Sequence, residues 1–128
     1  MQGFRIVPDV LRSLKTRVSR DRRTSRNPQL AIGHYLDAAL RHAPQDIETQ
    51  VAWAQKFLAE RMGFVEAGVQ STYRIGPKAQ AYSTELNLAL QEADYARKGL
   101  YVVSASLTAL LQALETEGEL QRPTLPQR

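Results

Sequence analysis

The chain reads as mainly α-helical with one short two-stranded antiparallel ribbon, and three observations predict that class. A short alternating segment, Phe4-Arg5-Ile6-Val7-Pro8, returns 69 positions later as Tyr73-Arg74-Ile75-Gly76-Pro77. Long stretches behind each copy carry apolar residues at helical spacing. The two alternating segments are too short to stand alone, because a lone strand leaves backbone donors and acceptors unpaired on both edges. They therefore pair with each other, and the helices form the layer that backs them.

The elements follow in order. The first strand is Phe4–Val7, and Pro8 suits the first position of a helix, where its missing N–H costs nothing. Asp9 suits the positive end of that helix. Val10, Leu11, Leu14 and Val18 form its apolar stripe, which predicts a helix from Asp9 to Asp21. The basic stretch Arg22–Arg26 breaks the pattern, and Asn27 with Pro28 predicts the cap and first turn of a second helix. Its stripe is Leu30, Ile32, Tyr35, Leu36, Ala39 and Leu40, ending near His42-Ala43-Pro44. Gly33 inside it costs helix propensity and points to a close approach by another element.

A third helix is predicted over 46–61, with Ile47, Val51, Ala54, Phe57 and Leu58 on its apolar side and Met62-Gly63 as its stop. Residues 64–70 read as a linker. The second strand is predicted over 71–76, followed by a helix from Pro77 to about 96. Lys98-Gly99 ends it. Leu100–Val103 is apolar and partly β-branched, and Ser104 is placed as the cap of a last helix with Leu107, Leu110, Leu111 and Leu114 as its stripe. Leu36 and Leu40 are matched to Leu110 and Leu114, so the break between helices is expected to be longer in the second copy. Pro123 and Pro126 mark a loose tail. The organisation predicted is one domain over 1–128: a first unit 3–43, a connecting helix and linker 44–70, a second unit 71–118 and a flexible tail 119–128.

Composition narrows function. There are no cysteines and only two histidines, His34 and His42, so disulfides and thiolate metal sites are excluded and no metal is expected. No local pattern marks a nucleophile or base, and Gly-rich phosphate loops are absent, so the expectation is a binding protein without enzymatic activity or cofactor. No apolar run is long enough for a membrane span. The first ten residues hold no secretory apolar core, and the bacterial cytoplasm is the expected location.

The net charge of +4 is unevenly placed. Residues 1–44 hold nine basic and three acidic side chains, and 45–128 hold eight and ten. A positive field this local suits a polyanion, and arginine suits phosphate.

Strand, Pro-led helix, basic loop and second helix resembles the ribbon-helix-helix superfamily of DNA-binding proteins. Two such units in one chain, a single-chain tandem form, are similar to the C-terminal domains of VirC-type enhancers of T-DNA transfer in plant-tumour-inducing bacteria. They are similar too to relaxosome accessory proteins of conjugative plasmids. The resemblance implies a double-stranded DNA-binding protein that reads the major groove with a β-ribbon and assists T-DNA or plasmid processing, conjugation and virulence. A relaxase and a ParA-like ATPase are the implied protein partners, and a monomer suffices because both ribbon strands lie in one chain. By position, base reading falls to Gly3, Arg5 and Val7 in the first copy and to Thr72, Arg74 and Gly76 in the second. Phosphate contacts fall to Ser25, Arg26 and Asn27 at the expected start of the second helix and to Ser104 in the second copy. Arg20, Arg22, Arg23 and Lys98 join them on charge.

Other readings fit the same residues. Arg5 and Arg74 also suit phosphate contact, Thr72 also suits ordinary strand propensity, and Trp53 with Phe57 suits either the core or a protein partner. A transcriptional repressor would need the same ribbon. A helical adaptor binding an acidic protein would need only the arginines.

Overall fold

The computed structural model describes residues 2–94 and 98–117. Its element order is β1 (Gln2–Ile6), α1 (Pro8–Ser25), α2 (Ile32–Arg41), α3 (Ile47–Glu60), β2 (Val69–Tyr73), α4 (Pro77–Glu92) and α5 (Gly99–Glu117). The mainly helical class with a two-stranded antiparallel sheet is therefore correct. The expected tail 119–128 lies outside the described residues.

Proline opens α1 and α4 as expected, each after an extended residue, Val7 and Gly76. Asp46 caps α3, accepting from the Thr49 N–H at 2.9 Å. Several boundaries differ from expectation. The helix α1 continues through the basic stretch to Ser25 and stops only where Arg26 turns left-handed at φ 57°. Nothing in Arg22-Arg23-Thr24 opposes helix, and positive charge suits a helix C-terminus. Asn27 and Pro28 therefore lie in a loop, where Asn27 Oδ1 accepts from the Gln29 N–H at 3.0 Å. The second helix begins after Ala31, whose N–H donates to His34 Nδ1 at 3.0 Å. In the second half, α5 begins at Gly99, so Leu100–Val103 is helical and Ser104 sits inside the helix.

The ribbon pairs Gln2 with Tyr73, Gly3 with Thr72, Phe4 with Ser71, Arg5 with Gln70 and Ile6 with Val69. One of these pairs, Gly3 and Thr72, is itself 69 positions apart. The second strand lies two to three residues earlier than the alternation predicts. Arg74, Ile75 and Gly76 fall after it, because the backbone there turns into α4 and onto α2. Gly33 explains the approach: a Cβ at that position would lie 2.4 Å from the Arg74 carbonyl oxygen.

The two β-α-α runs bury corresponding positions. A shift of 69 carries buried Val10, Leu14, Arg17 and Asp21 onto buried Ala79, Ser83, Leu86 and Leu90. A shift of 67 carries buried Tyr35, Leu36, Ala39 and Leu40 onto buried Val102, Val103, Ser106 and Leu107. The change of shift reflects α4 being 16 residues long against 18 for α1. The breaks 26–31 and 93–98 are equal in length, so the expected longer second break and the match of Leu36 and Leu40 to Leu110 and Leu114 are both corrected. Leu110 and Leu114 are only partly buried.

The helices interlock across the two runs. The first helix of each run packs more extensively on the second helix of the other, α1 on α5 and α4 on α2, than on its own neighbour. The helices α2 and α5 meet centrally, and α3 closes over α5 and α4. Ile6, Leu14, Leu36, Leu40, Leu86, Leu90 and Leu107 make one core. Phe57 belongs to it, and Trp53 is half-buried on α3.

Two long-range hydrogen bonds tie the strand ends into this core. The Val7 N–H donates to Ser104 Oγ at 3.1 Å, and the Gly76 N–H donates to Asp37 Oδ1 at 2.8 Å. Val7 and Gly76 correspond at a shift of 69, and Asp37 and Ser104 at a shift of 67. Each strand exit is thus held by a side chain from the second helix of the opposite run.

Candidate nucleic-acid interface

Alternation along β1 sends Phe4 and Ile6 into the core and leaves Gly3 and Arg5 exposed. Across the ribbon their partners Thr72 and Gln70 are exposed on the same face. That face carries no acid. Arg5 Nε donates to Gln70 Oε1 at 3.1 Å, so the two long side chains stand together on this face. A Cβ on Gly3 would lie 2.7 Å from Gln70 Nε2, the exposed end of a flexible side chain that can move aside. Arg74 is exposed and follows the strand, four positions beyond Gln70, or about 13 Å along the ribbon.

Five residues expected at the interface, Arg20 (described below) among them, lie elsewhere. Val7 is buried, turned inward by the change from strand to helix, and its backbone is held by Ser104. Gly76 is half-buried with its N–H taken by Asp37. Ser25 is buried in the last turn of α1, where its Oγ donates to the Asp21 carbonyl. Ser104 is fully buried, with its hydroxyl committed to Val7. The expected phosphate clamp at Ser25, Arg26 and Asn27 is displaced, because the helix start is at Ala31 and Ile32. Gln70 was missed, having been read as linker. The repeat held the signal: pairing Gly3 with its mate Thr72 sets Arg5 opposite residue 70.

The basic side chains divide into separate groups. Arg22 is exposed and donates from Nε to the Leu30 carbonyl at 2.7 Å, at the start of α2. It lines one groove with His34, Arg41, Thr72 and Arg74. Arg23, Arg26 and Asn27 are exposed nearby in sequence. Arg20 points away toward α5, where it meets Glu115 Oε1 at 2.8 Å. That contact draws the Glu115 carboxyl below its usual range, first through the Arg20 hydrogen bond and then through its charge. Lys98 is half-buried with its ammonium 5.4 Å from the Tyr101 ring.

A buried polar network marks the first run. Arg17 Nε donates to Asp21 Oδ2 at 3.0 Å, and the Tyr35 hydroxyl donates to the same oxygen at 2.5 Å. Burial, and then the Asp21 carboxylate, push the Tyr35 phenol well above its usual range. The corresponding places in the second run hold Leu86, Leu90 and Val102.

Among the described residues no cluster of His, Asp and Glu could hold a metal ion, and no helix is long and apolar enough to cross a membrane. Compared with family models, curated proteins and solved structures, the chain matches none.

Proposed function

We propose that the protein is a single-chain tandem ribbon-helix-helix protein that binds double-stranded DNA by laying the outer face of its ribbon in the major groove. One observation carries this reading: an exposed, acid-free ribbon face presenting Arg5 and Gln70 side by side, with Gly3 and Thr72 beside them. The crossed packing of α1 on α5 and α4 on α2 supports it, being what two such units sharing one ribbon require. A two-stranded ribbon fits a groove about 12 Å wide. Arginine there pairs with guanine O6 and N7, and glutamine with adenine N6 and N7. Thr72 and Arg74 extend the readout toward one end, and Arg22 with the start of α2 supplies phosphate contacts. Because the two halves of the face differ, the preferred site has no two-fold symmetry.

A role in T-DNA or plasmid transfer, with a relaxase or ParA-like ATPase as partner, rests on the family resemblance alone. A repressor would use the same face. Selection from random duplexes followed by titration of the selected site tests the binding itself. Arg5→Ala with Gln70→Ala is expected to cost about 1–3 kcal/mol of discrimination for each base pair read. An unchanged preference for the selected site over random duplex refutes the proposal.

A further inference from the structure

The outer faces of α1 and α4 carry opposite charge. On α1, Arg12, Thr16, Ser19 and Arg23 are exposed at positions i, i+4, i+7 and i+11. They form one narrow stripe, about 17 Å long, on the side away from the core. Lys15 and Arg22 flank it. A shift of 69 carries the same four positions onto Ala81, Glu85, Leu88 and Glu92 of α4, all exposed as well. The first stripe sets two arginines around two small hydroxyl residues, and the second sets two carboxylates around a leucine. The charge at the head of each stripe is inverted too, Asp9 on α1 corresponding to Lys78 on α4. Asp9 is held by Arg61 at 2.9 Å.

Arg12, Lys15, Arg23, Glu85 and Glu92 make no ion pair with any described residue. Leu88 is half exposed, one of four large apolar side chains that stand in solvent among the described residues. The helices that bear the stripes sit apart. The first packs on α5 and the fourth on α2, so the two faces look out from different sides of the α2–α5 pair. They cannot meet within one copy, and they can between two.

We infer that the α4 face of one copy docks on the α1 face of another, so that the protein associates with itself head to tail. Leu88 then lies over the small side chains of Thr16 and Ser19. Glu85 and Glu92, about 10 Å apart along their helix, reach the long cations on either side. Like charge keeps α1 from α1 and α4 from α4. Because the two surfaces differ, the contact is heterologous, and every docked pair still offers one face of each kind at its ends. Association is therefore open and does not stop at a dimer. Exposed ion pairs each contribute little, and one helix on another over about 17 Å falls below the roughly 1,000 Å² of a stable interface. The contact is weak, and salt weakens it further, since the Debye length shrinks to about 3 Å at 1 M. None of this depends on what the ribbon binds.

Sedimentation equilibrium of the full chain without DNA tests this with two charge-reversed variants, R12E/R23E and E85K/E92K. All four positions are exposed, and far-UV circular dichroism checks that each variant folds. Wild type at low salt is expected to gain mass steadily with concentration, with no plateau at the dimer, and to return to the monomer mass in about 1 M salt. Either variant alone should associate more weakly by about tenfold or more, because attractive pairs become repulsive. An equimolar mixture of the two should regain wild-type association, since the reversed α1 of one faces the reversed α4 of the other. Leu88→Ser should weaken association with no change of charge. Wild type that stays monomeric up to about 1 mM, or that forms a closed dimer, overturns the inference. So does association left unchanged by either reversal or by Leu88→Ser, and so does a mixture of folded variants that stays monomeric.

Discussion

The Arg17–Asp21–Tyr35 network allows a sharp test of what holds the first half together. The Arg17 and Asp21 side chains are 3% and 1% exposed, so the pair is desolvated on both sides. Replacing Asp21 alone by Leu leaves the Arg17 guanidinium buried, with Glu115 at 3.2 Å as a partner that is itself 62% exposed. Removing one member of such a pair costs about 3–5 kcal/mol. For a domain of this size that lowers Tm by roughly 10–20 °C. Replacing the whole network at similar volume, as Arg17→Met with Asp21→Leu and Tyr35→Phe, removes the charges together with their desolvation cost. The expected result is stability equal to wild type or higher by about 1–4 kcal/mol. The second half already uses Leu86, Leu90 and Val102 at these places, so an apolar solution is compatible with the fold. Denaturant titration with both variants gives the answer. A change of less than about 1 kcal/mol for Asp21→Leu, or a triple variant as damaged as the single one, would show that the buried Arg17 charge does not need Asp21.

Other outcomes follow from the same contacts. Gly33→Ala gains about 1 kcal/mol of helix propensity but sets a methyl against the Arg74 carbonyl, and overpacking of about 1–3 kcal/mol makes a net loss by thermal melting the expected result. Ser104→Ala strips the acceptor from the buried Val7 N–H, a loss of about 1–3 kcal/mol, and should weaken amide protection at Val7 in hydrogen exchange. The Glu115 carboxyl is held low by Arg20, so its contribution is full above the ordinary glutamate value of 4.5 and is lost as pH falls through the lower folded value. Glu115→Gln should therefore remove part of the acid-side decline in Tm below that value and leave the slope near neutrality unchanged. The Tyr35 phenol runs the other way: its contribution is full below the ordinary tyrosine value of 10.0 and disappears as pH rises, so Tyr35→Phe should flatten the alkaline loss of stability.

Much of the fold was legible because its signals are local. Pro8 and Pro77 mark helix starts by steric rule, and Val10, Leu11, Leu14 and Val18 show their face within one helix. Alternation in Gly3-Phe4-Arg5-Ile6 identified the exposed arginine. The interface was legible only in part. Val7 and Gly76 follow the alternation on paper, but each is the last extended residue before a helix, where the chain turns and the side chain or backbone is drawn inward. Asn27-Pro28 has the form of a helix start, yet Asn27 caps its own turn, and α2 begins only after Ala31.

By itself the sequence determined the helix starts at Pro8 and Pro77, the inward and outward faces of β1, the charge bias of the first third and the recurrence at 69. The helix starts and the faces of β1 depend on residues within a turn or two of each other, and the charge bias and the recurrence are properties of the linear chain that need no contact. The tertiary structure alone decided the ribbon register that brings Gln70 beside Arg5, the exclusion of Arg74 from the strand, the choice of Ser104 and Asp37 to hold the strand exits, and the burial of Arg17 with Asp21. The two strand-exit bonds join residues 97 and 39 positions apart. Contacts at that separation are set by how helices from both runs pack on one core, where close packing and the need to satisfy buried donors override local preference.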